Sequence, residues 1–285
     1  MTTNITDQHH LLCLGFGYTA SYVAPLVQEQ GWLVSGTTRA SDKAASLRDK
    51  GINPVLWAEG SEAPETDFSM VTDLLVSISP NESGCPALDM LQRIRVRMPN
   101  LRSVIYFSST GVCGDHQGSW IDEDTPRIST LRRGRQRLKA EEAWQAFGKA
   151  EGIPVIILRL SGIYGPGRNA FVMLKRQGTA ARRVFKEGQV FNRIHVADIA
   201  AITSLVLKRI AQGDPPPHDV YNLADDEPAP PQDLIEYAAQ QMGRPLPPMV
   251  PIEEADLSEM AHSFYAENKR IRNNRVKKDL DYSLV

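Results

Sequence analysis

HLLCLGFGYTA, His10 to Ala20, is the stretch on which the fold turns. An uninterrupted apolar run ends in Gly15-x-Gly17-x-x-Ala20, and an amphipathic segment begins at once. Apolar residues at Tyr22, Val23, Leu26 and Val27 place a helix stripe between Tyr18 and Gln30. A strand that turns through glycine into a helix is the opening of a βαβ unit. Gly15 permits the tight turn, Gly17 lets a pyrophosphate approach the backbone, and Ala20 lets the helix pack closely on the strand. The helix start, with its free N–H groups and positive dipole end, is where the anion rests.

The alternation continues along the chain. WLVSGTT reads as the second strand and SDKAASLRDK as the second helix, with Ser41 as its N-cap. DLLVSIS, SVIYFSST and VIILRLSG are further strands, and a helix is expected from Ala87 to Met98. Continuous Val/Ile/Leu runs of this kind belong to a parallel sheet covered on both faces. After Gly162 the texture shifts to Gly-, Pro- and Asp-rich turns, YGPGR, GDPPPHD and DDEPAPPQD. Helices are expected at Val196–Ala211 and Pro231–Met242. Residues 1–165 read as a dinucleotide-binding domain, with 190–225 returning to it. The rest of 166–285 reads as a smaller, interwoven substrate lobe.

With 285 residues, 42% of them hydrophobic, the chain can bury a full α/β core. A formal charge of −2 argues against a general polyanion binder, so no nucleic-acid partner is expected. No apolar run reaches the length of a membrane span. The start, MTTNITDQHH, lacks the basic and apolar regions of a secretory leader. The three cysteines, Cys13, Cys85 and Cys113, are scattered, without metal-ligand or disulfide spacing. A cytoplasmic location and no bound metal are the expectations.

The nucleotide end of the cofactor is decided after the second strand. An acid there would accept from the ribose hydroxyls of NAD. Here GTTRAS offers Thr38, Arg39 and Ser41 instead, and no acid occurs before Asp42. A guanidinium forks onto a phosphate, so NADP is expected over NAD. The expected cradle is Gly15, Phe16, Gly17, Tyr18, Thr19 and Ala20, with Ser79 at the end of the DLLVSIS strand. Lys43 is a second cation near the phosphate.

Several further stretches, in order, resemble the extended short-chain dehydrogenase/reductase family, which contains nucleotide-sugar epimerases and dehydratases. YFSSTGVCGD is similar to its S-S-x-x-V-Y-G motif, and LRLSGIYGPGR to its R-P-x-x-x-Y-G-P-G segment. RIHVADIA, VYNLADDEP and ENKRIRNNRVKKDL resemble the H-V-x-D helix start, the strand and turn of the small lobe, and the K-R tail. The resemblance implies a Rossmann-type doubly wound parallel sheet with a small C-terminal α/β substrate lobe. It also implies a small-molecule substrate and pairing of two copies into a homodimer.

One motif departs. The family helix that carries Y-G-x-x-K-L-x-x-E aligns here on Gly134, Leu138 and Glu141. Arg133 then stands at the tyrosine and Arg137 at the lysine, and no tyrosine lies between Tyr106 and Tyr164. This is similar to an atypical subgroup that lacks the Tyr/Lys pair. Arginine cannot shuttle a proton near neutral pH. The position implies that Arg137 holds the nicotinamide ribose and that Arg133 clamps a phosphate or carboxylate. Arg132, Arg135 and Lys139 fall on another, solvated face. By position Ser109 matches the family serine that bonds substrate oxygen, with Thr110 beside it. Tyr164 can donate a proton or pack the turn. Asn192 and Arg193 read as substrate contacts, His195 as structural, Asp198 as a local cap or ion-pair partner, and Cys113 as a buried hydrophobe. Two functions remain open. One is an NADP(H)-using oxidoreductase or epimerase-like enzyme acting on a small anionic or sugar-nucleotide-type substrate. The other is a catalytically silent NADP(H)-binding sensor or partner-binding module.

Overall fold

The computed structural model describes residues 8–285, so most of the N-terminal stretch read above for a leader lies outside the described residues. The chain opens with β1 (His10–Leu14), α1 (Ala20–Gln28), β2 (Leu33–Thr38), α2 (Ser41–Arg48), β3 (Asn53–Leu56), β4 (Asp73–Val76) and α3 (Pro86–Ile94). It continues through β5 (Ser103–Ser109), β6 (Trp120–Ile121), α4 (Arg132–Glu151), β7 (Val155–Leu160), β8 (Gly162–Tyr164) and α5 (Ala170–Gln177). Then come β9 (Arg183–Phe185), β10 (Arg193–His195), α6 (Val196–Ala211), β11 (Val220–Leu223) and α7 (Pro231–Gln241). The chain ends with β12 (Met249–Pro251), α8 (Glu259–Tyr265), β13 (Arg270–Ile271) and α9 (Asn274–Leu280).

Seven strands form one sheet in the order β11-β7-β5-β4-β1-β2-β3, every pairing parallel. This is the Rossmann-type arrangement. The strand order reverses direction between β1 and β4, and the crevice outside the C-terminal ends of such strands is where ligands bind.

Both faces of the sheet are covered, and period-2 alternation assigns each side chain to one of them. Leu11, Cys13, Ile105, Phe107, Ile156 and Leu158 face α1 and α6. Leu12, Leu14, Val104, Tyr106, Val155 and Ile157 face α3 and α4. The buried stripe of α1 is Ala20, Val23, Ala24 and Val27. Tyr22 and Leu26, expected in that stripe, are only half-buried against its edge. Small residues face the sheet because the helix lies close to it.

Several expectations need correction. β11 lies within the 190–225 stretch expected to return to the main domain, although the resemblance placed its strand in the small lobe; it extends the main sheet beside β7, pairing Tyr221 with Leu158. β3 went unread because Pro54 interrupts its pattern; as an edge strand it tolerates the missing N–H. Ser41 is the first residue of α2 rather than its cap, and Ala40 occupies the cap position with no side-chain bond. Asp198 does not pair locally. Its Oδ1 accepts from the Tyr282 hydroxyl at 2.8 Å and from the Val285 N–H at 3.0 Å, pinning the C-terminus to α6.

The small lobe packs α5 against α7 over Ala170, Leu174, Ala238 and Ala239. Three short parallel pairs, β8–β10, β9–β12 and β6–β13, stitch the C-terminal half to the sheet. No helix among the described residues is long and apolar enough to cross a membrane.

Candidate active site

The glycine turn sits at the C-terminal end of β1. Gly15 has φ +94°, and a Cβ there would lie 2.8 Å from Ser77 Oγ and 2.9 Å from Ile78, so only glycine fits. Its N–H donates to Thr37 Oγ1 at 2.7 Å, and Ser77 Oγ donates back to its carbonyl at 2.5 Å. Phe16 buries its ring on Gly36 of β2, where any Cβ would collide with it. At Gly17, by contrast, a Cβ would meet nothing within 4 Å. No side chain caps α1 at Thr19; the N–H groups of Ser21, Tyr22 and Val23 bond the Gly17 and Thr19 carbonyls, so among the described residues the Ala20 N–H is the first-turn donor left for an anion. Tyr18 reaches across and donates to the Pro166 carbonyl at 2.9 Å, with the Arg168 guanidinium 4.6 Å above its ring. The loop after β8 thus lies over the glycine turn.

Beyond β2, Thr38 is buried and Arg39 exposed. Lys43 extends from the first turn of α2 to donate to the Phe16 carbonyl at 2.7 Å, which brings an ammonium onto the turn. At the far end of the crevice Arg137 spans two strands. It donates to the Phe107 carbonyl at 2.7 Å, to Ser79 Oγ at 2.9 Å and to the Tyr106 hydroxyl at 3.3 Å. Arg137 and Ser79, expected together at the cofactor, are therefore in contact at the ends of β4 and β5. Arg133, one turn earlier, is exposed and does not line the cavity described next. Of the remaining basic block, Arg132 pairs with Glu82 at 2.6 Å on the solvated side, and Arg135 and Lys139 are exposed.

A cavity of about 960 Å³ opens between the sheet and the small lobe. Ser109, Thr110, Tyr164, Asn192 and Arg193 all line it. Ser109 Oγ accepts from the Gly111 N–H at 3.2 Å, which leaves its own proton free to donate. The Tyr164 ring meets the His195 ring edge-on, with centroids 5.1 Å apart. Burial and then the Asp225 carboxylate push the Tyr164 phenol up to about 12, so near neutral pH it stays protonated and is a weaker acid than an ordinary phenol. Arg193 is half-buried, and burial holds its guanidinium below the usual arginine range. Asn192 is already committed: its Nδ2 donates to the Lys269 carbonyl at 2.8 Å and its Oδ1 accepts from the Ile271 N–H at 2.8 Å. His195 caps α6 through Nδ1 at 3.3 Å from the Ala197 N–H. Cys113 is buried among Val112, Ile121 and Ile271, and burial raises its thiol. Among the described residues no group of three or more His, Cys, Asp or Glu could hold a metal.

The sequence reading missed three features. Glu141, fully buried on α4, accepts from Arg159 of β7 at 2.9 and 3.0 Å and from Ser108 Oγ at 2.6 Å. An arginine inside VIILRL was the available signal, since a buried charge needs a partner. Lys269 and Glu267, 2.7 Å apart, line the cavity from the C-terminal tail; the K-R resemblance marked this segment but gave neither side chain a role. Ser161 lines it too, with a buried hydroxyl that has no partner among the described residues.

The model of the NAD dependent epimerase/dehydratase family matches residues 86–224. A conserved protein of unknown function from Silicibacter pomeroyi DSS has a solved structure that is 46% identical, covering 97% of this chain and 94% of that one, with a TM-score of 0.86. A second structure, from Methylobacillus flagellatus and assigned as an NAD-dependent epimerase/dehydratase, is 26% identical over 97% and 93%, with a TM-score of 0.71. Protein YeeZ of Escherichia coli (strain K12) is 28% identical over 221 residues, 74% of this chain and 75% of its own.

Proposed function

The chain belongs to the NAD dependent epimerase/dehydratase family, and we propose that it is an NADP(H)-using oxidoreductase or epimerase-like enzyme acting on a small anionic or sugar-nucleotide-type substrate. The observation that carries this reading is a set of groups at the C-terminal ends of the parallel strands. They are a glycine turn after β1 with an open Gly17, the Ser79–Arg137 contact beyond β4 and β5, and a cavity lined by Ser109 and Tyr164. In the working division, 1–165 with 190–225 hold the cofactor and the rest of 166–285 forms the substrate lobe.

The residues fit a dinucleotide. Gly15 to Ala20 hold the pyrophosphate, Arg39, Ser41 and Thr38 take the 2′-phosphate with Lys43 beside them, and Arg137 holds the nicotinamide ribose. Bound NADP(H) supplies hydride chemistry. Ser109 bonds the substrate oxygen, Tyr164 donates a proton, Thr110 and Asn192 border the substrate, and Arg193 meets its anionic group. In this reading Arg133 reaches only a ligand that extends past the cavity rim. A cytoplasmic home accords with three cysteines that are all free and buried.

The test begins with the cofactor. NADPH should quench or enhance intrinsic fluorescence on binding. Arg39→Asp should weaken NADPH at least about tenfold while NADH changes by less than about threefold, because only the 2′-phosphate loses a charge-assisted partner. An unchanged NADPH-to-NADH ratio would reject the phosphate role. Arg137→Met should also weaken NADPH about tenfold. NADPH oxidation is then followed across a panel of carbonyl and sugar-nucleotide compounds.

The exposure of Arg133, at the position where the family has tyrosine, favours one second reading: a protein that binds NADP(H) and senses it without turnover. Binding without oxidation of any panel member would support that reading. Turnover that survives Arg133→Ala at full rate would remove Arg133 from the site.

A further inference from the structure

We propose that Lys269 and Ser161 form a donor pair that grips an uncharged oxygen of the substrate, a carbonyl or a hydroxyl. The inference rests on the cavity being the substrate site, as read above.

Lys269 sits in Glu267-Asn268-Lys269-Arg270-Ile271, a segment held on both sides. The Asn268 carbonyl accepts from the N–H groups of His116 and Gly118, each at 3.0 Å. On the other side Gln189 Nε2 donates to the Glu267 carbonyl at 2.9 Å, and Asn192 bonds the backbone at Lys269 and Ile271. Alternation along an extended chain turns Glu267 and Lys269 to one face, and both line the cavity.

The ammonium is nearly buried, with 8% of its side chain exposed. It donates to the Gly114 carbonyl at 2.6 Å and to Glu267 Oε2 at 2.7 Å. Glu267 Oε1 in turn accepts from Ser129 Oγ at 2.9 Å. An ammonium has three N–H donors, so one remains for a ligand. Ser161, just after β7 and lining the same cavity, offers a buried hydroxyl with no partner among the described residues. A buried polar group is normally satisfied, and this one is satisfied by what enters the cavity.

Charge decides the class of oxygen. Glu267 neutralises Lys269, so the pair attracts a carboxylate or phosphate weakly and suits a polar, uncharged oxygen. The anionic end of the same substrate then falls to Arg193, which lines the cavity and makes no salt bridge among the described residues. The substrate class that meets both demands is a polyhydroxylated or keto compound carrying one anionic group.

The experiment uses the full chain saturated with NADPH and a panel of glucuronate, gluconate and glycerate, with Kd measured by calorimetry. At least one member should bind. Ser161→Ala and Lys269→Met should each weaken it about tenfold or more, Lys269→Arg should retain part of the affinity, and NADPH affinity should stay within about twofold throughout. Circular dichroism checks each variant. Should Lys269→Met not fold, Ser161→Ala decides, because its hydroxyl holds nothing in the free protein. A natural protein that takes up no NADPH overturns the cofactor reading beneath this one. A protein that takes up NADPH yet binds no panel member, or whose Ser161→Ala variant binds equally well, overturns the donor pair alone.

Discussion

Glu141→Ala is expected to destabilise the protein by about 3–5 kcal/mol, the cost of leaving a buried charge without its partner. The charge in question is Arg159, 3% exposed, whose guanidinium bonds both carboxylate oxygens of Glu141. Ser108 would lose its acceptor at the same time, and the half-exposed Arg127 its closer carboxylate. Urea unfolding monitored by circular dichroism reads the loss as a lower midpoint at similar slope. Glu141→Leu combined with Arg159→Met should recover much of it, because well-packed apolar residues often replace a buried ion pair at little cost. If Glu141→Ala lost less than about 1 kcal/mol, Arg159 would have found solvent and the network would not hold α4 to the sheet. The network matters for the site because the same helix carries Arg137 to the ends of β4 and β5.

Gly17→Val is expected to do the reverse: leave the fold nearly intact and abolish cofactor uptake. Among the described residues, chain neighbours aside, no atom lies within 4 Å of a Cβ at Gly17, so a Cβ there meets no clash in the free chain. The branched side chain would fill the space through which a pyrophosphate reaches the backbone. A loss of about 100-fold or more in NADPH affinity, roughly 2.7 kcal/mol, is expected with a thermal midpoint within a few degrees of the natural protein. Gly15→Ala provides the contrast. Its Cβ would strike Ser77 and Ile78 on a backbone at φ +94°, so stability and binding should fall together. Unchanged NADPH binding by Gly17→Val would place the cofactor elsewhere or nowhere.

The sequence by itself determined the sheet and its cradle. A parallel strand buried on both faces has to be apolar along its whole length, so β1, β2, β4, β5 and β7 could be read as runs. The turn after β1 demands glycine at Gly15, where φ is positive, and Gly17 leaves its backbone bare of a side chain, so both stood out as residue types. Even the missing tyrosine was legible, since it needed only the registration of Gly134, Leu138 and Glu141. Short edge elements were legible only in part: β3 contains a proline and went unseen, and VYNL could be read as a strand while its place beside β7 depends on pairing across more than sixty positions.

Only the tertiary structure decided what each charge does. Arg133 and Arg137 lie four apart with the same chemistry, yet one faces solvent and the other bridges Ser79 and Phe107. Arg159 meets Glu141 because strand alternation aims it at the α4 face, and Lys269 enters the cavity because two loops distant in sequence clamp its backbone. A hydrophobic run reports burial through its own composition, since transfer from water needs no particular partner. A charge or a hydroxyl acquires its role from the group placed opposite it, and that group is fixed by folding.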